Sequence, residues 1–319
     1  MIEYRRFRNF DTPKLVTLWH ACELGRGAIS GFSTDAFDSL NFAQPYFDPE
    51  GLILAIAGSE VVGFIHAGFA TDSTQSQLDH KTGVICAVMV HPEFRHQGIG
   101  RQLISKAEEY LKRHGSHVIF AGPAPLNDPF YFGLYGGCQA AGFLDSDPNA
   151  KPFMQKMGYE PAESIMIYQR NISDGRDPVR YRLTKIRRST ELQIFEQPES
   201  PTWWWITHMG RLDSLRFRLA PKGGGQAFAA ITVSGLDLYH PSWNERAVGL
   251  SELVVVESER RKGYGQSLLL EVIRRIRQEL VTLVEAHAPQ QNAAACKVLE
   301  VVGFNHVDTG TVFRRQLAE

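Results

Sequence analysis

The sequence predicts an α/β chain built from two like halves. Three observations carry that reading. First, a strand-like apolar run, an Arg-x-x-Gly-x-Gly step and a helix-like segment occur twice, as "VICAVMVHPEFRHQGIGRQLISKAEEYL" (84–111) and "LSELVVVESERRKGYGQSLLLEVIRRI" (250–276). The offset is 165 positions, taken from Gly98 to Gly263, and it also superposes Arg95 on Arg260 and Gly100 on Gly265. Second, the apolar positions of the helices correspond. Ile99, Leu103, Ile104, Ala107 and Leu111 meet Tyr264, Leu268, Leu269, Val272 and Ile276, spaced as one face of a 3.6-residue period. Third, each half closes alike: another apolar run ("HVIFAG", 117–122; "VTLVEAH", 281–287), a short helix, and a Gly-aromatic step at Gly158–Tyr159 and Gly303–Phe304.

Taken in order, "VICAVMV" and "LSELVVV" are β-branched enough to read as buried strands. The junction falls at "NISDGRDP" (171–178), between strand-like "SIMIYQR" and "VRYRLTKI". It divides the chain into 1–172 and 178–319. "APKGGGQAF" (220–228) reads as a turn between two strands, and "EQPESP" (196–201) as a loop before Trp203, Trp204 and Trp205. The halves differ in one place. Gly98 to Gly158 is 60 positions, whereas Gly263 to Gly303 is 40, so the first half carries about 20 more residues. These lie in a Gly-, Pro- and aromatic-rich loop at about 123–147, a type of segment that often carries function.

Composition narrows the function classes. The 319 residues carry a net charge of −1, which offers nucleic acid no general basic field. Four scattered cysteines (Cys22, Cys86, Cys138, Cys296) form no CxxC pair, so neither a disulfide framework nor a metal site is expected, and a cytoplasmic setting fits. The N-terminus carries charges where a signal peptide needs an apolar core, and no apolar run is long enough to cross a membrane.

A helix start preceded by glycines is a ready anion site, because its amides are unpaired and glycine permits close approach. Neither copy has the Lys-Ser/Thr of a Walker loop, and Leu103 and Leu268 stand where a dinucleotide fingerprint needs its third glycine. One copy alone fits an ordinary left-handed turn and helix packing as well as it fits phosphate; two copies in matching contexts favour phosphate.

These residues resemble the Gcn5-related N-acetyltransferases (GNAT). "VHPEFRHQGIGRQL" is similar to that family's acyl-CoA loop, Gln/Arg-x-x-Gly-x-Gly/Ala after strand four. "VESERRKGYGQSL" looks like the same loop without the proline found at Pro92, and "NAAACKVLEVVGF" is similar to the last helix, beginning at Asn292. In architecture the tandem pair resembles mycothiol synthase-type acetyltransferases. The resemblance implies two tandem domains. Each is a mixed, mostly antiparallel sheet splayed after strand four and flanked by helices. It implies that the amides of His96, Gln97, Gly98, Ile99, Gly100 and Arg101, and of Arg261, Lys262, Gly263, Tyr264, Gly265 and Gln266, cradle the pyrophosphate of acetyl-CoA. Val88, Met89 and Val90, and Leu253, Val254 and Val255, would pair with the pantetheine arm. Arg95 and Arg260, with Arg101, Arg261 and Lys262, would offset phosphate charge.

Acetyl transfer also needs a proton acceptor and a donor for the leaving thiolate. Eight positions before the loop arginine stands Glu252 in the second half, but Ala87 in the first. Apolar neighbours should raise the pKa of Glu252 and suit it to act as base. The tyrosine that the family places four residues before the closing glycine is replaced by Met154 and Leu299. Tyr135 in the extra loop is the substitute candidate acid, beside Tyr131. The loop aromatics Phe130, Tyr131, Phe132 and Tyr135 are expected to line an acceptor pocket, and Asp145 and Asp147 to favour a cation. The expected function is N-acyl transfer to a primary amine of a small molecule or peptide, by a monomer or homodimer, with the second half doing the chemistry. The alternative is a degenerate acyl-CoA-binding sensor or interaction module. Nucleic-acid binding through "RDPVRYRLTKIRR" (176–188) ranks below both, since its alternation reads as a strand with one wet face.

Overall fold

The computed structural model describes all residues except 176, 179, 180, 197, 211, 318 and 319. The first half runs β1 (Ile2–Arg6), α1 (Thr12–Ala21), α2 (Thr34–Phe37), β2 (Leu52–Ala57), β3 (Glu60–Thr71), β4 (Leu78–Val90), α3 (Ile99–Arg113), β5 (Val118–Ala121), β6 (Phe143–Leu144), α4 (Ala150–Lys156) and β7 (Glu160–Asn171). The second runs α5 (Tyr181–Ser189), β8 (Thr190–Phe195), α6 (Trp203–Met209), β9 (Ser214–Pro221), β10 (Ala229–Gly235), α7 (His240–Trp243), β11 (Ala247–Val255), α8 (Tyr264–Arg277), β12 (Leu283–Pro289), α9 (Ala293–Val302) and β13 (Asn305–Gln316).

The strands form one mixed sheet, ordered β1-β2-β3-β4-β5-β13-β7-β12-β11-β10-β9-β8, with β6 beside β13. Among the described residues only β4–β5 and β11–β12 are parallel. The order is symmetric about its centre, as a duplicated chain requires, but the last strands are exchanged. β7 of the first half pairs with β12 of the second, and β13 returns to pair with β5 of the first. The two meet each other along nine register pairs. A division at 171–178 therefore divides the chain and not the sheet.

The helix positions matched by the repeat become core. Ile99, Leu103, Ile104, Ala107 and Leu111 of α3 pack on Ile53, Ala55, Ile65 and Ile85. Leu268, Leu269, Val272 and Ile276 of α8 pack on Phe217, Ile231, Val233 and Leu250. On the other face of the first half, α1 and the loop after β5 make a second core of Leu15, Trp19, Phe37, Phe64, Phe130 and Tyr131.

Two sequence expectations change here. Of "VRYRLTKI", Val179 and Arg180 lie outside the described residues; from Tyr181 on the segment is a helix, α5, instead of a strand, because Leu183 and Ile186 pack toward the α8 core at helical spacing. The extra loop is core and not a pocket wall. Phe130, Tyr131, Leu134, Cys138 and Ala141 are buried. The loop also crosses the seam: the Gly137 amide donates to the Tyr239 hydroxyl (2.9 Å), and the Trp204 indole donates to Asp128 (3.3 Å).

Candidate active site

Each half opens at the same register. β4 last pairs with β5 at Ile85↔Ala121, and β11 last pairs with β12 at Leu250↔Ala286, the same positions 165 residues apart. Beyond them Val88, Met89 and Val90, and Leu253, Val254 and Val255, have no strand partner on that side among the described residues. Both strands bulge at the opening. The register shifts opposite Cys86 in β4 and opposite Glu252–Leu253 in β11, where Glu252 takes φ +52°. An extra residue on one strand bends it away from its neighbour, which is how a continuous sheet comes to splay.

The glycine loops sit at these openings. Gly98 (φ +84°) caps α3 and Gly263 (φ +95°) caps α8, each preceded by a second left-handed residue, His96 at +64° and Arg261 at +62°. The amides of 96–98 and 261–263 find no main-chain acceptor among the described residues. Unpaired amides ahead of the first turns (Ile99, Gly100, Arg101; Tyr264, Gly265, Gln266) make a cradle that suits a phosphate oxyanion. The two loops differ in cover. A Cβ built on Gly98 meets nothing within 4 Å, whereas one on Gly263 meets Ile186 of α5 at 3.2 Å. Arg182 of α5 also donates to the Arg261 carbonyl (3.0 Å).

The expected phosphate arginines are tied elsewhere. The Arg95 guanidinium donates to the carbonyls of Val90 (3.1 Å) and Cys22 (3.3 Å), and that of Arg260 to the carbonyl of Val255 (3.4 Å). In both halves the arginine staples the end of the bulged strand. Lys262 is paired with Glu259 at 3.1 Å, and the Gln97 side chain donates through Nε2 to the Glu93 carbonyl (3.3 Å). Arg101 and Arg261 are exposed, so each is placed to meet an anion at its loop. Asn292 caps α9 by accepting from the Ala295 amide (3.1 Å).

Glu252 is not the desolvated acid that its apolar neighbours suggest. Its side chain is 43% exposed and pairs with Arg216 at 3.0 Å. Thr232 donates to the same oxygen, Oε2, at 2.7 Å. The bulge turns Glu252 out to a polar face shared with Arg216, Thr232 and Ser251, so strand alternation misplaces it. Tyr135 is also diverted. Its hydroxyl accepts from the Leu144 amide (3.1 Å), burial raises its pKa, and no contact joins it to Glu252 among the described residues. Met154 and Leu299 are plain core.

The corresponding face of the first half is filled. His66 stacks on Phe130 (centroids 4.0 Å) and meets the Tyr131 hydroxyl at 3.1 Å. Burial lowers its pKa to about 3, so it stays neutral.

One cluster is new. Glu285 and His287 of β12 lie beside Cys138 from the first half's loop. The ligand-type atoms of the three residues are within 4.8 Å of one another. Glu285 is 1% exposed; it accepts from the Cys138 amide (3.0 Å) and the Gln169 side chain (2.8 Å), and lies 3.5 Å from Arg26. Burial opposes its ionisation, but the hydrogen bond from His287, with the Cys138 amide and Arg26, outweighs it and holds the carboxyl below its ordinary range. The signal was present in "VTLVEAH": an acid and a histidine two apart on an otherwise apolar strand share one face.

A sheet that splays at two equivalent points, with a glycine loop and a helix start at each, is the geometry that the sequence resemblance implies for a tandem acetyltransferase fold. Residues 16–134 match the acetyltransferase (GNAT) family, and residues 242–313 match the family described as FR47-like protein. An acetyltransferase of Sodalis glossinidius (strain morsitans) is 32% identical over 118 residues, 37% of this chain and 72% of that protein. One of Pectobacterium atrosepticum is 28% identical over 173 residues, 54% of this chain and 98% of that protein. Over the full length, the fold is similar to a tandem GNAT protein from the clavulanic acid biosynthesis pathway. The TM-score is 0.69 at 18% identity, covering 100% of this chain and 99% of that one. A GCN5-related N-acetyltransferase from Sphaerobacter thermophilus gives 0.65 at 14% identity, covering 99% and 95%. The chain belongs to the GNAT acetyltransferase family. It is a tandem member, with both halves of the sheet built on that fold.

Proposed function

We propose that this acetyltransferase uses acetyl-CoA as donor and acetylates a primary amine of a small molecule or peptide, with the transfer step in the second half. The observation that carries the reading is the repeated geometry: a cradle of unpaired amides at the mouth of a bulged, diverging strand pair, twice at the same register. The free edges of Val88–Val90 and Leu253–Val255 suit the pantetheine arm as an added strand. The polar face belongs to the second half alone, whereas the first half's is packed with Phe130, Tyr131 and Trp19. Glu252 keeps Oε1 clear of the partners on Oε2, so it is suited to draw a cationic amine to the opening. Four free cysteines suit the cytoplasm. Among the described residues no helix is long and apolar enough to cross a membrane. Since one chain supplies both halves of the symmetric sheet, the working unit is the monomer.

Calorimetry with CoA tests the reading. Gly98→Val forces a β-branched residue into a left-handed position, at a cost of about 1–2 kcal/mol, and crowds the open cradle. CoA affinity at that loop should fall at least tenfold. A wild-type protein that binds no CoA ends the transferase reading. One that binds CoA but releases no CoA thiol from acetyl-CoA with any amine supports the sensor, which the buried Met154 and Leu299 favour.

A further inference from the structure

We propose that His287, oriented by Glu285, is the proton acceptor for acyl transfer at the second opening. The proposal rests on the transferase reading above. His287 is the residue after the last β11–β12 pair, Leu250↔Ala286. Val284, Ala286 and Ala288 pack into the core beneath α8. Alternation along the strand therefore turns Glu285 and His287 to the opposite face, where the first half's loop crosses.

Cys138 of that loop marks the spot. Its sulfur lies 3.9 Å from the Leu250 carbonyl and against the His287 amide, between the two strands where they part. A ring nitrogen of His287 is within 4.8 Å of that sulfur. The imidazole is therefore at the fork of the opening, deeper than Glu252 on its bulge.

The imidazole is also prepared for the task. Nε2 lies 3.2 Å from Glu285 Oε1, and the side chain is 3% exposed. Nδ1 is buried with no hydrogen-bond partner among the described residues. With Nε2–H donated to the carboxylate, the lone pair stands on Nδ1. Glu285 is itself fixed by the Cys138 amide, Gln169 and Arg26. Among the described residues, the charged and titratable groups around the pair are Glu285 on its own strand, Tyr239 of the same half, Cys138 across the seam, and Arg26 behind the carboxylate. The first half offers no counterpart, since Phe120 and Gly122 occupy the matching positions.

In the step, the neutral amine attacks the acyl carbon. The C–N bond forms, the C–S bond breaks, and the electron pair leaves with the coenzyme sulfur. The ammonium proton passes to Nδ1 and from there to the thiolate, giving free CoA thiol and neutral imidazole.

The test follows CoA thiol release from acetyl-CoA with a panel of primary amines (spermidine, glucosamine, tryptamine, lysine). His287→Ala should lower kcat by about 10²–10⁴-fold with CoA binding unchanged, and added imidazole should restore part of the loss. Glu285→Gln, which leaves the base present but poorly held, should lower kcat less and gain nothing from imidazole. If His287→Ala does not fold, His287→Gln is read in the same way. A His287 variant within threefold of wild type, or a loss that imidazole does not touch, overturns the proposal. So does stoichiometric zinc in the purified protein that disappears in the variant, since the trio would then be a metal site. A wild type that releases no CoA thiol from acetyl-CoA with any amine of the panel overturns the transferase reading itself.

Discussion

Glu252 and Glu285 belong to neighbouring strands and have opposite surroundings. Glu252 stands on a bulge, half exposed, with one oxygen held by Arg216 and Thr232. Removing its charge should weaken attraction for an amine and leave the proton transfer in place. Steady-state kinetics of Glu252→Gln should show KM for a cationic amine raised several-fold, with kcat within about threefold; a collapse of kcat at unchanged KM would return the base role to Glu252. Glu285 is buried, and its folded pKa lies below its unfolded value of about 4.3. Its contribution to stability is therefore fully present above that value and is lost as pH falls through the lower folded pKa. Glu285→Gln should be less stable than wild type at pH 7 by about 2 kcal/mol, and should lose less between pH 5 and pH 3. Urea midpoints across that range decide it. Sequence reasoning singled out Glu252 and passed over Glu285. Local hydropathy does not register a bulge, and it does not reveal which buried acid will meet a histidine and an arginine.

At the level of elements, the buried faces of helices α3 and α8 were legible in the sequence, because an amphipathic face is written at fixed spacing. The loops ahead of them were legible for the same reason, through their glycines. Helix α5 was not. "VRYRLTKI" satisfies a period of two as well as it satisfies Leu183 and Ile186 at a helical turn, and only the presence of α8 selects the helix. That helix leans on the second loop through Ile186 and Arg182. Removing the Arg182 contact should free the Arg261 turn. Arg182→Ala in a Gly98→Val background, where the first loop is impaired, is expected to bind CoA several-fold more tightly by calorimetry. Unchanged affinity would mean that α5 does not restrict the second cradle. The loop after β5 was read as a pocket wall because it is long and aromatic. Its aromatics instead fill the space between α1 and the sheet, leaving the first half no polar acceptor face.

The whole molecule is one sheet because β7 and β13 change places. A chain cut at 171–178 leaves each half with its last strand in the other half's sheet, so the pieces are held by backbone ladders on both sides of the seam. A protease site inserted there should give two fragments that stay together on gel filtration and unfold in one cooperative transition. Either half made alone should fail to form a stable monomer, since β5 or β12 would be left as a bare edge. Two separable fragments with independent transitions would contradict the exchange.

The sequence by itself determined that this is a duplicated α/β chain, where its two repeated helices lie, and that each half places a glycine loop between a buried strand and such a helix. Those features depend on periodicity and glycine placement within a few residues of one another, which any short window of sequence contains. Which half each last strand joins, which acid is buried, and what stands at the fork of the second opening were decided only by tertiary structure. β7 and β13 have strand character whichever neighbour they meet. Cys138, Glu285 and His287 come together from positions about 150 apart in the chain, a distance over which local pattern carries no information about contact.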